Sequence, residues 1–373
     1  MAIENLIQNF KNESSEELDQ ALNDVRAGFK KYVVVESEPY FDALTLWVGS
    51  TYTPEAFQFY PRLVLSSPEK QCGKTTLLTV IKYLVHNPLS TSNISTPALF
   101  RVIESELENR IVVLMDEVDK TFSKNGDKEK AVAITQIINA GYIKGETVVR
   151  CEGQSYKVRK FGVSCPVVMA GIGKTASPEE IRDRGIIIPM RRILEREGRN
   201  LERLRLRVAE LEFAPIRERL DKAITPRSKE LQDVLDREVI NFPESLVGRP
   251  RDVWESLFAV AHLAGGEWPE RARLASLELC DKALLPESQN YKVEALSLCK
   301  DVFEVFEEDR ISASDLVTKI SNLEHSPYKD HSYPLNAKRL ANLLDEFGIR
   351  SVKQNSARYY HRKDFEKSWE SYL

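Results

Sequence analysis

The feature that most constrains the fold is a polar loop between an apolar strand and an apolar helix. Residues 62–65 (Arg-Leu-Val-Leu) precede the loop, which ends in Gly73-Lys74-Thr75, and an apolar helical pattern follows. A phosphate-binding loop (Walker A) needs inward backbone N–H groups, a lysine for the β- and γ-phosphates and a hydroxyl for Mg²⁺. The sequence therefore predicts a site for ATP and Mg²⁺ where the helix N-terminus faces the phosphates.

The predicted nucleotide contacts extend over the whole loop, with Lys74 as the catalytic lysine and Thr75 as a Mg²⁺ ligand. One position departs from the usual pattern, because Pro68 stands where the first glycine is expected. A second Gly-Lys-Thr, at 173–175, has no apolar helix directly after it, so we interpret it as a loop at a strand end. The predicted nucleotide-binding residues of the loop are Pro68, Glu69, Lys70, Gln71, Cys72, Gly73, Lys74, Thr75 and Thr76.

A pair of acids follows a run of five apolar residues, about 40 residues beyond the loop. The run 111–115 is typical of a fully buried strand, and Asp116 and Glu117 come directly after it (Walker B). Such a strand carries its last residues to the carboxyl edge of the sheet, where ligands bind. Asp116 is the predicted Mg²⁺ ligand, and Glu117 the predicted residue that orients or deprotonates the attacking water. Asp119 is interpreted as a helix cap or an extra polar contact.

Alternating apolar strands and helices predict an α/β fold with a parallel sheet. The expected organisation is an N-terminal segment packed on the core (1–60), a P-loop core (61–192), a helical lid (193–305) and a winged-helix-like domain (306–373). Three local patterns add detail. Residues 31–35 (Lys-Tyr-Val-Val-Val) predict a strand, residues 177–180 predict a capping box, and a helix is expected from residue 311 onward.

The charge balance excludes a uniformly basic nucleic-acid coat protein, since 53 Lys and Arg face 57 Asp and Glu. Cations nevertheless gather in a hairpin at 147–161 and in a segment at 348–363, where Tyr359 and Tyr360 are interleaved with them. Both patterns predict contacts with DNA phosphates. The alternatives remain a hairpin that is merely exposed and a wing packed on a neighbouring domain. The predicted DNA-binding residues are Arg150, Lys157, Arg159, Lys160, Arg350, Lys353, Arg358, Arg362 and Lys363.

Three further observations exclude other classes of protein. No apolar run reaches the roughly 18 residues of a membrane-spanning helix, and the acidic, polar start is unlike a secretory signal. The five cysteines are scattered and show no zinc-binding spacing. The sequence therefore predicts a cytoplasmic protein with free thiols and no membrane partner.

Six segments together resemble the P-loop ATPase family catalogued as domain of unknown function 3631. They are SSPEKQCGKTTLL, VVLMDEVDKTF, INAGYIKGETVVRC, VVMAGIGKT, RDRGIIIPMRR and AGGEWPERARLASLELC. The family is found in phages, plasmids and genomic islands, often joined to or encoded near a primase. The resemblance covers roughly residues 15–373 and implies an AAA+-like core, akin to superfamily-three helicases and initiator ATPases. The family shows a similar replacement of the first loop glycine.

The resemblance also implies roles for several arginines. Arg184 looks like a finger arginine supplied to a neighbouring subunit's nucleotide, a role that suits the planar guanidinium charge. The alternative is a surface pair between Asp183 and Arg184, and Arg191 and Arg192 are the next candidates for the finger. Arg251 is a candidate sensor arginine that contacts the nucleotide.

The third core strand departs from this class of ATPase, because it ends in Met169-Ala170-Gly171 without the polar residue that commonly places water. The leading hypothesis is an ATP-hydrolysing DNA motor, a helicase or remodelling ATPase, that forms a homo-oligomeric ring. It would serve the replication of a mobile genetic element with a separate primase. Two alternatives remain: a nucleotide-gated regulatory or defence ATPase without unwinding, and a P-loop phosphotransferase acting on a small substrate.

Overall fold

The structure is a computed structural model that describes residues 2–123, 126–152, 157–173, 177–193, 200–284, 291–307, 309–323, 326, 328, 335–345, 347–354 and 357–373. Contacts divide the chain into two compact units, Met1–Cys280 and Asp281–Leu373. Each unit is described by itself below.

Helices and strands alternate through most of the first unit. Its helices are α1 (Ala2–Tyr32), α2 (Glu38–Ser50), α3 (Lys74–Leu84), α4 (Thr96–Glu106), α5 (Val118–Phe122), α6 (Lys128–Ala140), α7 (Glu179–Arg182), α8 (Leu206–Ile224), α9 (Ser228–Asp236), α10 (Arg249–Ala264) and α11 (Trp268–Leu284), which reaches into the second unit. Its strands are β1 (Arg62–Ser67), β2 (Asn87–Thr91), β3 (Ile111–Met115), β4 (Thr147–Glu152), β5 (Lys157–Gly162), β6 (Val167–Ile172) and β7 (Gly185–Pro189). Within the described ranges, no helix has the length and apolar character needed to cross a membrane.

The main sheet has five parallel strands in the order β2-β3-β6-β1-β7. Strand β1 pairs with β6 on one side and with β7 on the other, and β3 lies between β2 and β6. Because all five strands run in one direction, the carboxyl ends of β1, β3 and β6 meet at a single edge. The predicted parallel α/β core is confirmed, and the predicted phosphate loop leaves this edge between β1 and α3.

The central strands are apolar throughout because each face of the sheet has its own core. In β3, Val112 and Leu114 pack with the cluster that includes α1, α2 and α3. Ile111, Val113 and Met115 pack on the other face, with α4 and α6. A strand buried on both faces has no polar positions to alternate with, which explains the unbroken apolar run in the sequence.

Two local predictions are wrong. Residues 33–35 form no strand: α1 continues to Tyr32, and Val33 and Val35 are buried among helices, where a β-branched residue needs no sheet partner. The capping box at 177–180 is also absent, because α7 begins at Glu179 and the buried Ser177 hydroxyl has no hydrogen-bond partner among the described residues.

A buried arginine fixes the start of β1. Arg62 is 1% exposed, and its guanidinium donates to the carbonyl oxygens of Cys165, at 2.6 Å, and of Ile138. Burial lowers the pKa of Arg62 to about 10, so the side chain stays charged at neutral pH. The Ile138 carbonyl lies in the last turn of α6, where the helix dipole favours a cation. Arg62 therefore ties β1 to the end of α6 and to the segment before β6.

The second unit follows the order of a winged helix. Its elements are α12 (Tyr291–Phe306), β8 (Arg310–Ser312), α13 (Ala313–Asn322), α14 (Ala337–Asp345), β9 (Val352–Gln354), β10 (Ala357–His361) and α15 (Lys363–Tyr372). Strand β10 pairs antiparallel with both β8 and β9 to make a three-stranded sheet. The predicted winged-helix-like fold is confirmed.

One prediction in this unit needs correction, since residues 311–312 begin no helix and belong to β8. Ile311 is buried and lies opposite Tyr360 of β10, and this pairing holds the segment in the sheet. Ser312 then caps α13, because its hydroxyl accepts a hydrogen bond from the Asp315 amide at 3.1 Å.

Gly141 gives a stability test of the junction between α6 and the segment before β6. A Cβ at Gly141 would lie 2.0 Å from the Val163 carbonyl oxygen, a distance that forces the two segments apart. We expect Gly141→Ala to lower the free energy of unfolding by about 3 kcal/mol in urea denaturation. Gly145→Ala is the control, because a Cβ there meets open space and costs only about 1 kcal/mol of backbone strain at positive φ. Equal losses in the two variants would contradict the steric explanation.

Candidate functional site

The phosphate loop turns from β1 into α3 with Pro68 in the position of the missing glycine. Gln71 and Gly73 have positive φ values of 62° and 82°, and alternation of this kind turns successive backbone N–H groups toward one side of a loop. Gly73 takes the left-handed conformation at no steric cost. The buried thiol of Cys72 lies under the loop and points to the Lys70 carbonyl at 3.6 Å.

Lys74 is a buried cation without an anionic partner in the described structure. Its side chain is 9% exposed, and its ammonium contacts the Ser67 hydroxyl and, at 3.3 Å, the Glu69 carbonyl. Both acceptors are neutral oxygens. A buried charge is stabilised when an opposite charge joins it, so the position fits a phosphate, as the sequence predicts.

Thr75 and Asp116 converge from two elements at the carboxyl edge of the sheet. The Thr75 hydroxyl lies 3.4 Å from Oδ2 of Asp116. Asp116 is held by its own backbone N–H, which donates to the Thr91 carbonyl at 2.9 Å, and by its Oδ1, which accepts from the Glu117 amide at 2.8 Å. A hydroxyl and a carboxylate oxygen are the donors that Mg²⁺ prefers, so these two residues fit the predicted metal site.

Glu117 is exposed and directly precedes α5, in a left-handed conformation with φ of 54°. Its carboxylate lies 2.5 Å from the ammonium of Lys120, and this hydrogen bond raises the pKa of Lys120. An exposed ion pair of this kind contributes little to stability. Glu117 can therefore leave Lys120 at low cost and turn toward a water molecule.

Asp119 supplies a carboxylate at the end of β6, the core strand whose last residues carry no polar side chain. Its Oδ1 accepts a hydrogen bond from the Ile172 amide at the end of β6, at 3.0 Å. The sequence interpretation left open whether Asp119 caps a helix or adds a polar contact, and the structure shows the polar contact. The signal that could have placed it is its spacing, since Asp116, Glu117 and Asp119 all follow β3. In the second Gly-Lys-Thr, Gly173 follows β6, whereas residues 174 and 175 lie outside the described part.

Arg184 lies at the amino edge of the sheet, because it comes directly before β7. Its guanidinium donates to the Glu180 carbonyl at 2.6 Å and lies 6.0 Å from the centre of the Tyr142 ring. Asp183 forms its ion pair with Arg249, so the alternative of a pair between Asp183 and Arg184 is wrong. The phosphate loop leaves the opposite edge of the same sheet.

Of the other candidate arginines, Arg192 contacts the phosphate loop, and Arg251, the predicted sensor, packs elsewhere. Arg251 lies over the Phe242 ring, 4.8 Å from its centre, and the described contacts do not link it to the loop. Arg192 does reach the loop, where it pairs with Glu69 at 2.8 Å. Arg191 donates to the Arg192 carbonyl at 3.2 Å. Because Arg192 and Glu69 are both exposed, their pair contributes little by itself.

The predicted hairpin is formed by β4 and β5, with Arg150 directly opposite Arg159. Arg159 pairs with Glu104 of α4 at 3.0 Å. Lys157 and Lys160 are exposed. The turn at 153–156 lies outside the described residues.

The cations of the terminal segment are largely engaged within their own unit. Arg350 pairs with Asp345 at 2.8 Å, and Arg358 donates to the Ser351 hydroxyl at 2.8 Å. Lys353 and Lys363 are exposed and have no ion pair in the described part of the chain.

Two side chains of this segment contribute to the structure of the second unit. Arg362 donates to the Phe303 carbonyl, at 3.4 Å, in the last turn of α12. Tyr360 is 1% exposed and packs edge-on against Phe365, so it belongs to the core and is not available to stack on a base. Tyr359 stays partly exposed beside Arg310.

Parts of this chain are similar in sequence to known proteins. The sequence profile of a family described as "Protein of unknown function (DUF3631)" matches residues 189–372. This is the family that the sequence resembles, although the match begins after the phosphate loop. The chain is also 32% identical over 133 residues to the "Uncharacterized 28.9 kDa protein in xis 5'region" of Saccharopolyspora erythraea. That alignment covers 34% of this chain, and it spans 50% of the relative's length.

Among solved structures, the chain is similar to the RuvB Holliday junction branch migration motor of Thermotoga maritima. The identity is 14%, the alignment covers 90% of this chain and 95% of that chain, and the TM-score is 0.30. A variant of the same protein aligns with 14% identity over 90% of this chain and 95% of that chain, at a TM-score of 0.31. We draw no functional conclusion from likenesses this distant.

The Thr75–Asp116 pair yields a metal-specific expectation. We expect Thr75→Ala to weaken binding of ATP in the presence of Mg²⁺ by about tenfold and to leave Mg²⁺-free binding unchanged, because only the metal contact is lost. Isothermal titration calorimetry with and without Mg²⁺ measures both values, and Thr75→Ser should restore the first. Thr135→Ala is the control, because it removes the hydroxyl of a helical threonine in α6 that donates to the Ala131 carbonyl at 2.8 Å. Equal weakening with and without Mg²⁺ would exclude a metal-ligand role for Thr75.

Proposed function

We propose that this chain is a Mg²⁺-dependent ATPase of the P-loop class that acts on DNA. The observation that carries the proposal is the buried Lys74 ammonium, held by neutral oxygens at the edge of the sheet where Thr75 and Asp116 converge. An unpaired buried cation beside a carboxylate–hydroxyl pair matches the charge pattern of a nucleotide with its metal ion.

Each residue of the site would then have a defined task. Lys74 and the inward amides of the loop bind the phosphates, and Thr75 and Asp116 hold the metal ion. Bound Mg²⁺ neutralises charge that develops on the phosphate oxygens. Glu117 leaves Lys120 and orients or deprotonates the attacking water. Asp119 keeps the end of β6 beside this water through the Ile172 amide.

Arg184 would act between subunits of a homo-oligomeric ring. It lies at the amino edge of the sheet, whereas the loop of the same subunit leaves the carboxyl edge. An arginine placed at that edge serves a nucleotide only if that nucleotide belongs to a neighbour. The planar guanidinium suits the charge that spreads over a transferring phosphoryl group.

The DNA-directed role rests on the exposed cations of the hairpin and on the winged-helix fold of the second unit. Such cations bind phosphates without reading the base sequence. A motor that unwinds or remodels DNA in the cytoplasm during replication of a mobile element is the finer form of the proposal. The family resemblance alone supports the mobile element and a separate primase partner.

Two other functions remain to be distinguished. A cleft of about 310 Å³ opens beside Thr75 and Asp116, between α3 and the ends of β2 and β3, and could hold a small phosphate acceptor. A chain that binds such an acceptor would be a phosphotransferase, whose turnover would not respond to DNA. A regulatory or defence ATPase would instead assemble in the presence of ATP without separating strands.

The deciding experiment measures ATP turnover with and without single-stranded DNA. We expect DNA to stimulate the wild-type protein, and we expect Lys74→Ala and Glu117→Gln to lower turnover at least 100-fold, about the size of one catalytic group. Arg237→Ala, an exposed and unpaired arginine of the same unit within the described structure, is the control. Full turnover in Lys74→Ala would overturn the loop assignment, and absence of both stimulation and unwinding would overturn the DNA motor.

A mixing experiment tests the finger role of Arg184. Arg184→Ala and Glu117→Gln should each be inactive, with a loss on the order of 1,000-fold for a missing finger. In a mixture, the intact Glu117 of one chain meets the intact Arg184 of the other, so part of the turnover should return. A mixture that stays inactive at concentrations where oligomers form would argue against an arginine supplied between subunits.

Asp119 is proposed as a positioning residue, and its two replacements separate position from charge. Asp119→Ala removes the acceptor for the Ile172 amide, so we expect kcat to fall by about tenfold with little change in KM. Asp119→Asn keeps an acceptor oxygen and should restore most of kcat. If the asparagine variant is as slow as the alanine variant, the carboxylate charge is what matters and the positioning role is wrong.

A further inference from the structure

Three arginines from three elements, α4, β4 and β5, meet over a pair of aromatic rings at the side of the hairpin. Phe100 of α4 and Phe161 of β5 are buried, with ring centres 4.5 Å apart. Arg101 lies 5.3 Å from the centre of the Phe100 ring and 6.0 Å from that of Phe161. Arg150 lies 5.8 Å from the centre of Phe100, and Arg159 lies 4.7 Å from that of Phe161. We call these three residues the arginine cluster.

The charges of the arginine cluster are only partly compensated. Arg150 and Arg159 are directly opposite each other in the β4–β5 register. Two like charges in such a cross-strand pair destabilise the hairpin. Glu104 pairs with Arg159. Neither Arg101 nor Arg150 has a carboxylate within ion-pair distance among the residues that the structure describes. Cations gathered without matching acids are stabilised when an anion binds them.

The rings of Phe100 and Phe161 hold the arginine cluster in position before a ligand binds. A guanidinium that lies on a ring gains cation–π attraction and can still donate from its remaining N–H groups to phosphate oxygens. Arg150, for example, already donates from one nitrogen to the Val149 carbonyl at 2.8 Å. Because packing already restricts these side chains, less conformational entropy is lost when a ligand binds. On β5, Lys157 shares the face of Arg159 and extends the positive charge along the strand, whereas Lys160 lies opposite Val149 on the other face. A linear array of cations matches a polyanion better than a single small anion.

We propose that the arginine cluster binds the phosphate backbone of a single-stranded nucleic acid, with Arg101 of α4 as an essential member that the hairpin sequence does not reveal. This inference rests on the proposed function and specifies which surface contacts the strand. The other face of the hairpin exposes Val149 and Val158, by 49% and 70%, next to the arginines along the strands. A flexible single strand held by the arginine cluster can bend around the two-stranded hairpin and bring its unstacked base faces to these side chains, whereas a stiff duplex hides its base faces in the stack.

The test measures binding of fluorescein-labelled oligothymidylate by anisotropy across a series of salt concentrations. We expect Arg101→Ala to weaken binding about tenfold at low salt, as the loss of one charge-assisted contact implies. It should also reduce the slope of log K against log salt by about 0.7, the value for one phosphate contact on a single strand. Arg101→Lys keeps the charge and should restore the slope. Arg237→Ala removes an exposed arginine elsewhere in the same unit and should change neither quantity.

The outcomes separate this inference from the proposed function. If the wild-type chain binds the oligonucleotide and DNA stimulates its turnover, but Arg101→Ala behaves like Arg237→Ala, only the arginine cluster is wrong. If the wild-type chain binds no nucleic acid, both proposals fall. Tighter binding to a duplex of the same length, or displacement of the oligonucleotide by polyglutamate at equal charge concentration, would also overturn a single-strand site. Unchanged thermal unfolding in Arg101→Ala establishes that the variant is folded.

Discussion

The structure of the first unit depends on how the charge of Arg62 is accommodated at the start of β1. The guanidinium is buried and is held by carbonyl oxygens from the end of α6 and from the segment before β6. Charge-assisted hydrogen bonds of this kind are about twice as strong as neutral ones, and they set the position of β1 between its neighbours. Five residues later the same strand ends at Ser67, where the phosphate loop begins. One short strand therefore connects the amino edge of the sheet, where α6 and the hairpin meet, with the proposed nucleotide site at the opposite edge.

That arrangement explains why the two edges have different chemistry. At the carboxyl edge, Lys74, Thr75 and Asp116 come from the loop, α3 and the end of β3, and their spacing follows from strand pairing. At the amino edge, Arg184 lies beside Tyr142, which follows α6 and precedes the hairpin. The arginine that we propose serves a neighbouring subunit and the hairpin that we propose contacts a strand are thus built on the same side of the sheet. A shift of the end of α6 would affect both.

The parts of the fold that sequence could predict are those in which local pattern and tertiary packing agree. The apolar run 111–115 needs burial on both faces and is a central strand, and the loop around Lys74 is a strand–loop–helix unit. Residues 33–35 have the same apolar, β-branched character, yet Val33 and Val35 are buried in the core without pairing to a strand of the described sheets. Strand β8 is only three residues long and exists through its partner β10, which no local pattern encodes. The contact from Asp119 to β6 joins residues 53 positions apart, so spacing alone could suggest an acid but not its partner.

The two basic stretches look alike in the sequence, and their environments set them apart. In the terminal segment, Arg350 and Arg358 are bound by Asp345 and Ser351, and Arg362 donates to the end of α12. In the hairpin, the guanidinium of Arg150 lies on Phe100 and donates to the Val149 carbonyl of its own strand, without a carboxylate among its described neighbours, and Arg101 joins it from α4. An arginine that already has a strong partner must break that contact before it binds a phosphate, whereas one resting on an aromatic ring does not. On this physical ground the hairpin is the better prepared of the two surfaces, although its sequence carries fewer cations.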